Sequence, residues 1–362
     1  MDYVVLEEIK QLQQIDTKNE YFVFVAPGED RCLEDTMNVH IMEIGGNFYP
    51  LWEQKTLPKI VKELNLDMLH CTSNTAPIRC NTPLILTLHD IIFLEPRDKN
   101  NSSLYQNMGW IYRRMVVPRI LKKCHRIITV SEFELNNIMS KLSIPRERMA
   151  MIYNGYNEWF KPAAETDFTY QKYIEESGYF FFLGNTDPKK NTERTLIAYS
   201  IYLEKSGQKR KLLMADLDRQ YLNDILSRNN INHIYEKIVM PGYIVNSDLP
   251  NIYNNAFAFL YPSLRESFGI PLLEAMACGT PVITSNTSSM PEIGGPYAIL
   301  VNPEEPKEIA DMMLKLENDD SFYRKQEDVG LQRAKLFSWR QTAEHLLGLY
   351  EDVYKEIRRS SK

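Results

Sequence analysis

Two glutamates, Glu266 and Glu274, stand eight residues apart in YPSLRESFGIPLLEAMACGTPVITS (261–285), on either side of a Gly-Ile-Pro turn. The residues between and after them are mostly apolar, so neither reads as part of a plain solvated face. FAFLYPS, just before, has the aromatic and apolar content of a strand. Pro271 suits the first turn of a following helix, and Gly279 suits its end. Glu266 is therefore expected in the loop beyond the strand, and Glu274 within the first turn or so of the helix. The backbone amides of Ser267, Phe268 and Gly269 would form an anion site there, reinforced by the helix dipole. A carboxylate can accept two hydrogen bonds from a vicinal diol. Two carboxylates flanking an anion site suit a ligand with diols on both sides of a phosphate, which describes a nucleotide sugar. Spacing alone serves a plainer reading about equally well: one glutamate stabilises a helix start and the other sits on a surface loop.

A phosphate also needs cations. FFFLGNTDPKKNTERTLIAYS offers a strand, a turn at Gly184, and then Lys189 and Lys190 before a helix. Lysines just beyond a strand end act on a diphosphate as point charges; by itself a Lys-Lys pair is more often a solvated turn. The triplet Asp216–Asp218 (DLD) has the form of a metal clamp for a diphosphate. Asp218, however, precedes RQYLNDILSRN and reads better as a helix cap, and the histidines form no ligand cluster. No metal and no cofactor are expected.

The elements that must hold these residues form two series. YFVFVAP (21–27), VHIMEI (39–44), MLHCTS (68–73), PLILTLHD (83–90) and RIITVS (126–131) are short buried strands, with helical stretches such as 57–65 and 115–124 between them. A second series starts near residue 178 with YFFFLGN, KLLMAD, KIVMPGY, FAFLYPS, PVITS and AILVNP. Alternation of this kind predicts an α/β fold with parallel sheets covered on both faces. The polar stretch 160–178 marks a boundary. The domains are set at 1–162 and 163–336, followed by an amphipathic helical segment, 337–362. Two doubly wound, Rossmann-like domains facing each other would bind ligands in the cleft beyond their strand ends.

Composition limits the partners. With 362 residues, 44% apolar, 25% charged and a net charge of −6, no global positive field draws nucleic acid, and none is expected as a partner. Five cysteines without a C-x-x-C pair (Cys32, Cys71, Cys80, Cys124, Cys278) fit free thiols in a reducing compartment. The first residues carry acids and no cleavage-type apolar core, and no run reaches the length of a membrane span. A cytoplasmic location is expected. WIYRRMVVPRILKKCHR (110–126) concentrates Arg113, Arg114, Arg119, Lys122 and Lys123 beside Trp110. Such a stripe reads either as a solvated helix face or as a peripheral contact with an anionic membrane at its inner face.

Taken in order, these segments resemble the retaining glycosyltransferases of family four, which have the GT-B fold. Glu266 and Glu274 match their E-x7-E motif, GNTDPKKN their G-T-x-x-P-R-K-N segment, and LHDIIFL their H-D motif. ITVSEFELNNI and IYNGYNEWFKP are similar to segments that close the first domain, so the likeness covers nearly the whole chain. It implies a metal-independent hexosyltransferase that retains anomeric configuration, with the last helix crossing back to the first domain. Glu274 would bind the ribose and Glu266 the hydroxyls of the donor sugar. The amides of Ser267, Phe268, Gly269 and Ile270 would line sugar and phosphate, beside Gly184 and Asn185. Lys190 would neutralise the diphosphate, with Lys189 in the place of an arginine. Gly242, Tyr243 and Ile244 would lie near the base, and His89 and Asp90 near the reacting carbon and the acceptor. The chain as a whole resembles bacterial mannosyltransferases of polysaccharide assembly, which favours GDP-mannose over a UDP-sugar as donor and a glycan or lipid-linked acceptor.

Departures from the family are specific. Ser267 replaces a glycine, and Ala215 and Asp216 stand where relatives keep a glycine after the strand. Relatives open with a strand and a Gly-rich loop that are not found before the first helix here. A gapped or rearranged first sheet is expected from that. The alternative function is an N-terminally truncated, non-catalytic protein that binds nucleotide sugar.

Overall fold

The structure, a computed structural model, describes residues 2–28, 32–46, 48–95, 104–163 and 167–360. The chain divides into two compact units, one of residues 1–155 with 339–362, the other of residues 156–338.

In the first unit the strands are β1 (Tyr21–Val25), β2 (Val39–Glu43), β3 (Leu69–Cys71), β4 (Leu84–Thr87), β5 (Arg126–Thr129) and β6 (Met149–Met151). All pair in parallel, but in two sheets: β1 with β2, and β3-β4-β5-β6. The sheet is therefore gapped, with no ladder joining the two parts among the described residues. β4 is buried along its whole length, as expected for a strand with helices on both faces. The helix expected over 115–124 runs instead over Leu104–Ile120 and contains Pro118.

The C-terminal helix, Trp339–Ser360, belongs to this unit. Ala343, Leu346 and Val353 recur on one face and pack with Leu12 of the first helix and with Ile85, Ile128 and Ile152 of the strands. Thr342 Oγ1 donates to the Tyr153 carbonyl at 2.7 Å, and Trp339 meets the Tyr3 ring edge-on at 5.9 Å.

The second unit holds β7 (Tyr179–Phe182), β8 (Leu212–Met214), β9 (Ile238–Val239), β10 (Ala256–Tyr261), β11 (Val282–Ser285) and β12 (Ile299–Val301). They form one parallel sheet in the order β12-β11-β10-β7-β8-β9. Each return path is a helix that buries its apolar face on the sheet, as Leu196, Tyr199 and Leu203 do after β7. The stretch that composition marks as a boundary is tied to this unit. The Ala163 N–H donates to Asn254 Oδ1 at 2.8 Å, Asn254 Nδ2 donates to the Lys161 carbonyl at 2.9 Å, and Phe160 meets Tyr253 at 5.9 Å.

Removing the buried side chain that seats the last helix tests its place in the first unit. Leu346→Ala should lower stability by about 2–5 kcal/mol, read from the denaturant midpoint. An unchanged midpoint would place that helix outside the cooperative fold.

Candidate functional site

The second sheet reverses its strand order between β7 and β10: β8 and β9 lie outward from one, β11 and β12 outward from the other. Loops leaving the carboxyl ends of two such strands run to opposite faces and part, which opens a crevice. Residues 183–191 leave β7 there, and residues 262–269 leave β10.

The first of these loops is shaped by local hydrogen bonds. Asp187 Oδ1 accepts the Lys189 N–H at 3.0 Å, and the Asp187 carbonyl accepts the Lys190 N–H at 2.9 Å, closing the turn Pro188–Lys190. Asn185 Oδ1 accepts the Asp187 N–H at 2.8 Å. Gly184 is not in the left-handed region; a Cβ there would come 2.5 Å from the Phe182 ring, so close packing demands the glycine. Asn191 is buried with φ +61°, a conformation asparagine tolerates. Its Nδ2 donates to the carbonyls of Pro262 (3.0 Å) and Pro303 (2.6 Å), and the Leu264 N–H donates to the Lys189 carbonyl at 2.8 Å. The two loops are thus sewn together.

That seam brings Lys190 to Glu266. Its Nζ donates to Glu266 Oε1 at 2.7 Å and lies 5.2 Å from the centre of the Tyr261 ring. The side chains keep 26% and 15% of their surface, enough for a ligand to reach both. Lys189 turns to Asp187 Oδ2 at 3.2 Å, in a more exposed pair. The Glu266 backbone is held as well: its N–H donates to Ser288 Oγ at 3.1 Å, and Ser289 Oγ donates to its carbonyl at 3.0 Å.

Gly269 precedes the Ile270–Ala277 helix with φ +100°, and a Cβ there would meet Met290 Cε at 2.5 Å and the Tyr261 ring at 3.6 Å. Pro271 lies in the first turn, and Gly279 follows the helix with φ +80°. Ser267 and Ile270 are half-buried, and Phe268 is buried with its ring 5.9 Å from that of Phe337. At the helix start Pro271 carries no N–H and the Leu272 N–H donates to the Gly269 carbonyl at 3.1 Å.

Glu274 is the fifth residue of the helix, just past its first turn. Burial raises its pKa from 4.5 to about 7, opposed by the Tyr253 hydroxyl, which donates to Oε2 at 3.4 Å. Desolvation outweighs that hydrogen bond.

After β9, Gly242 has φ +84° and accepts the Asp216 N–H at 3.0 Å. Asp216 itself has φ +55°, the conformation for which a glycine would be favoured. Tyr243 is exposed while Ile244 is buried. Asp218 caps the Arg219–Arg228 helix, its Oδ1 accepting the Tyr221 N–H at 2.9 Å.

His89 and Asp90 belong to the first unit, in the loop after β4. His89 Nε2 is 3.0 Å from the Thr72 carbonyl, which can only accept, so that nitrogen carries the proton and Nδ1 is left as an acceptor. Burial lowers its pKa and keeps the ring neutral, although the Thr72 bond and Asp90 oppose this. Its N–H donates to Asn74 Oδ1 at 2.7 Å, and Asp90 Oδ1 accepts the Ile92 N–H at 2.9 Å.

Tyr261, Tyr253, Asn191 and the Ser288–Ser289 pair did not stand out in the sequence. Tyr261 ends an apolar run that reads as core, and Tyr253 lies among asparagines. Asn191 carried one signal, an asparagine where a turn meets a helix start.

Residues 3–159 match the family model described as Glycosyltransferase Family 4, and residues 165–333 match that of glycosyl transferases group 1. O-antigen chain mannosyltransferase B of Escherichia coli is 31% identical over 229 residues, 62% of this chain and 60% of that one. Serotype-specific mannosyltransferase WbdA of the same organism is 28% identical over 247 residues, 67% of this chain and 30% of its own length. The matches thus span less than two thirds of either relative. Sucrose-phosphate synthase from Thermosynechococcus elongatus superposes with a TM-score of 0.69 at 20% identity, covering 92% of this chain and 89% of that one.

The raised Glu274 pKa has a measurable consequence for stability. The folded state holds this proton up to about pH 7, whereas the unfolded chain releases it from about pH 4.5. Stability should therefore fall as pH rises through that window, by on the order of 1–3 kcal/mol with allowance for partial exposure. Urea denaturation at either end of the window, for the wild type and Glu274→Gln, checks this. The variant should lose that part of the slope; an identical slope would mean Glu274 is not desolvated.

Proposed function

The chain belongs to the group 1, family 4 glycosyltransferases and has their GT-B fold, and from that premise we propose that it is a retaining hexosyltransferase of polysaccharide assembly. The donor is a nucleotide sugar, GDP-mannose first, and the acceptor a glycan or lipid-linked sugar. The observation that carries the reading is the meeting of Lys190 and Glu266 at 2.7 Å where the strand order reverses. A cation and a diol-binding carboxylate stand there beside a helix start. The choice of mannose rests on the relatives, which are named mannosyltransferases.

On this reading the diphosphate lies against Lys190 and the amides of 267–270, with Lys189 adding charge from the turn. Glu266 receives the hydroxyls of the sugar and Glu274 those of the ribose, with Gly242, Tyr243 and Ile244 toward the base. The bond between the anomeric carbon and the phosphate oxygen breaks while the acceptor oxygen bonds that carbon on the same face. The acceptor's proton passes to the departing phosphate, whose growing charge the lysine and amides hold. His89 and Asp90 act on the acceptor side. Lysines supply the positive charge, and Asp218 is engaged as a cap, so the reaction is proposed to run without a metal.

Two experiments test this. Glu274→Ala should weaken binding of guanosine diphosphate roughly ten-fold or more, as for hydrogen bonds to a charged group. Glu266→Ala should leave that affinity nearly intact and lower sugar transfer instead. Equal losses of diphosphate affinity in both variants would sink the division of roles. Excess chelator should leave transfer from GDP-mannose unchanged; loss restored by magnesium or manganese would overturn metal independence.

A further inference from the structure

The Leu104–Ile120 helix carries a surface that the donor site does not use. Residues 104–123 include five basic side chains (Arg113, Arg114, Arg119, Lys122, Lys123) and no acid, in a chain of net charge −6. Val116, Val117, Ile120 and Leu121 turn into the core of the first unit. At 3.6 residues per turn the opposite face consists of Met108, Ile111, Met115, Pro118 and Lys122, bordered by Arg114 and Arg119. All of these are exposed, the first three by 48%, 49% and 51%. Arg113 is half-buried and lies off this face.

A second element extends the patch. Tyr112, at the edge of the exposed face, meets the Tyr49 ring edge-on at 6.4 Å. Both hydroxyls donate to the carboxylate of Glu53, which is buried and also accepts from Thr75 Oγ1 at 2.5 Å. That anchor fixes the turn Tyr49–Leu51 beside the helix and exposes Phe48, Tyr49 and Leu51 there. Arg114 lies 4.3 Å over the Trp110 ring. Arg114, Arg119 and Lys123 donate to the backbone carbonyls of Phe93, Met115 and Ile78 and have no ion-pair partner among the described residues.

A solvated helix face mixes acids with bases and carries few large apolar side chains. This one is apolar along its midline, basic at its borders and free of acids, which is the pattern of a helix lying in a lipid interface. We propose that the face docks on an anionic bilayer. Met108, Ile111, Met115 and Leu51 enter the boundary between headgroups and acyl chains, and Arg114, Arg119, Lys122 and Lys123 reach lipid phosphates.

Co-sedimentation with vesicles tests it. The protein should bind phosphatidylcholine vesicles containing phosphatidylglycerol, bind pure phosphatidylcholine weakly, and lose binding as salt rises. R114Q/R119Q/K122Q should reduce the partition coefficient roughly five-fold per residue removed. M108S/I111S/M115S should weaken binding even at low salt. Both should keep the wild-type melting temperature and guanosine diphosphate affinity; if either fails to fold, the single surface variant K122Q should still show its five-fold loss. Equal binding to both vesicle types, or no binding to either, would overturn the proposal. Self-association that M115S abolishes, without vesicle binding, would assign the face to a second copy instead.

Discussion

The reversal of strand order between β7 and β10 is the constraint on which the site depends. A parallel sheet needs a helix for each return, and at one place the returns must change sides. Here that place sends out the loop with Lys190 on one side and the loop with Glu266 on the other. The side chain of Asn191 and the amide of Leu264 close the seam between them. Nothing in either loop alone would bring the ammonium to the carboxylate. Topology does so, and local hydrogen bonds set the final 2.7 Å.

The two glutamates divide by environment. Glu266 lies beside a lysine that sits over the Tyr261 ring, near enough to solvent to exchange partners with a ligand. Glu274, eight residues later, loses its water and holds its proton up to about pH 7. Such a group is a better donor when neutral and a better acceptor when charged, so pH selects its role. The apolar helix that carries Glu274 creates this difference, because Leu272, Leu273 and Ala275 seat it in the core.

Much of this was legible in the residues. Apolar runs with helices between them identified the parallel strands except β6, and Pro271 and Gly279 bracketed their helix. Asp218 read as a cap and is one. What escaped depends on distant contacts. The role of Gly184 is set by the Phe182 ring, not by a turn conformation. Glu274 was expected within the first turn or so of its helix, and what the sequence did not show is the burial that raises its pKa to about 7. The rings of Tyr261 and Tyr253 are core, and only their hydroxyls reach the site, Tyr253 donating to Glu274 Oε2 at 3.4 Å and Tyr261 accepting from Lys190 Nζ at 3.5 Å. The basic stripe was visible as charge, but its apolar midline needed the structure to show which methionines face outward.

The central claim is that Lys190 is the cation for the second phosphate of the donor. The ratio of affinities for guanosine diphosphate and guanosine monophosphate measures this most directly, because base, ribose and first phosphate cancel. The account predicts that Lys190→Met collapses that ratio by about ten-fold or more, the loss expected of a charge-assisted hydrogen bond. A ratio unchanged from the wild type, with both affinities falling together or not at all, would contradict it.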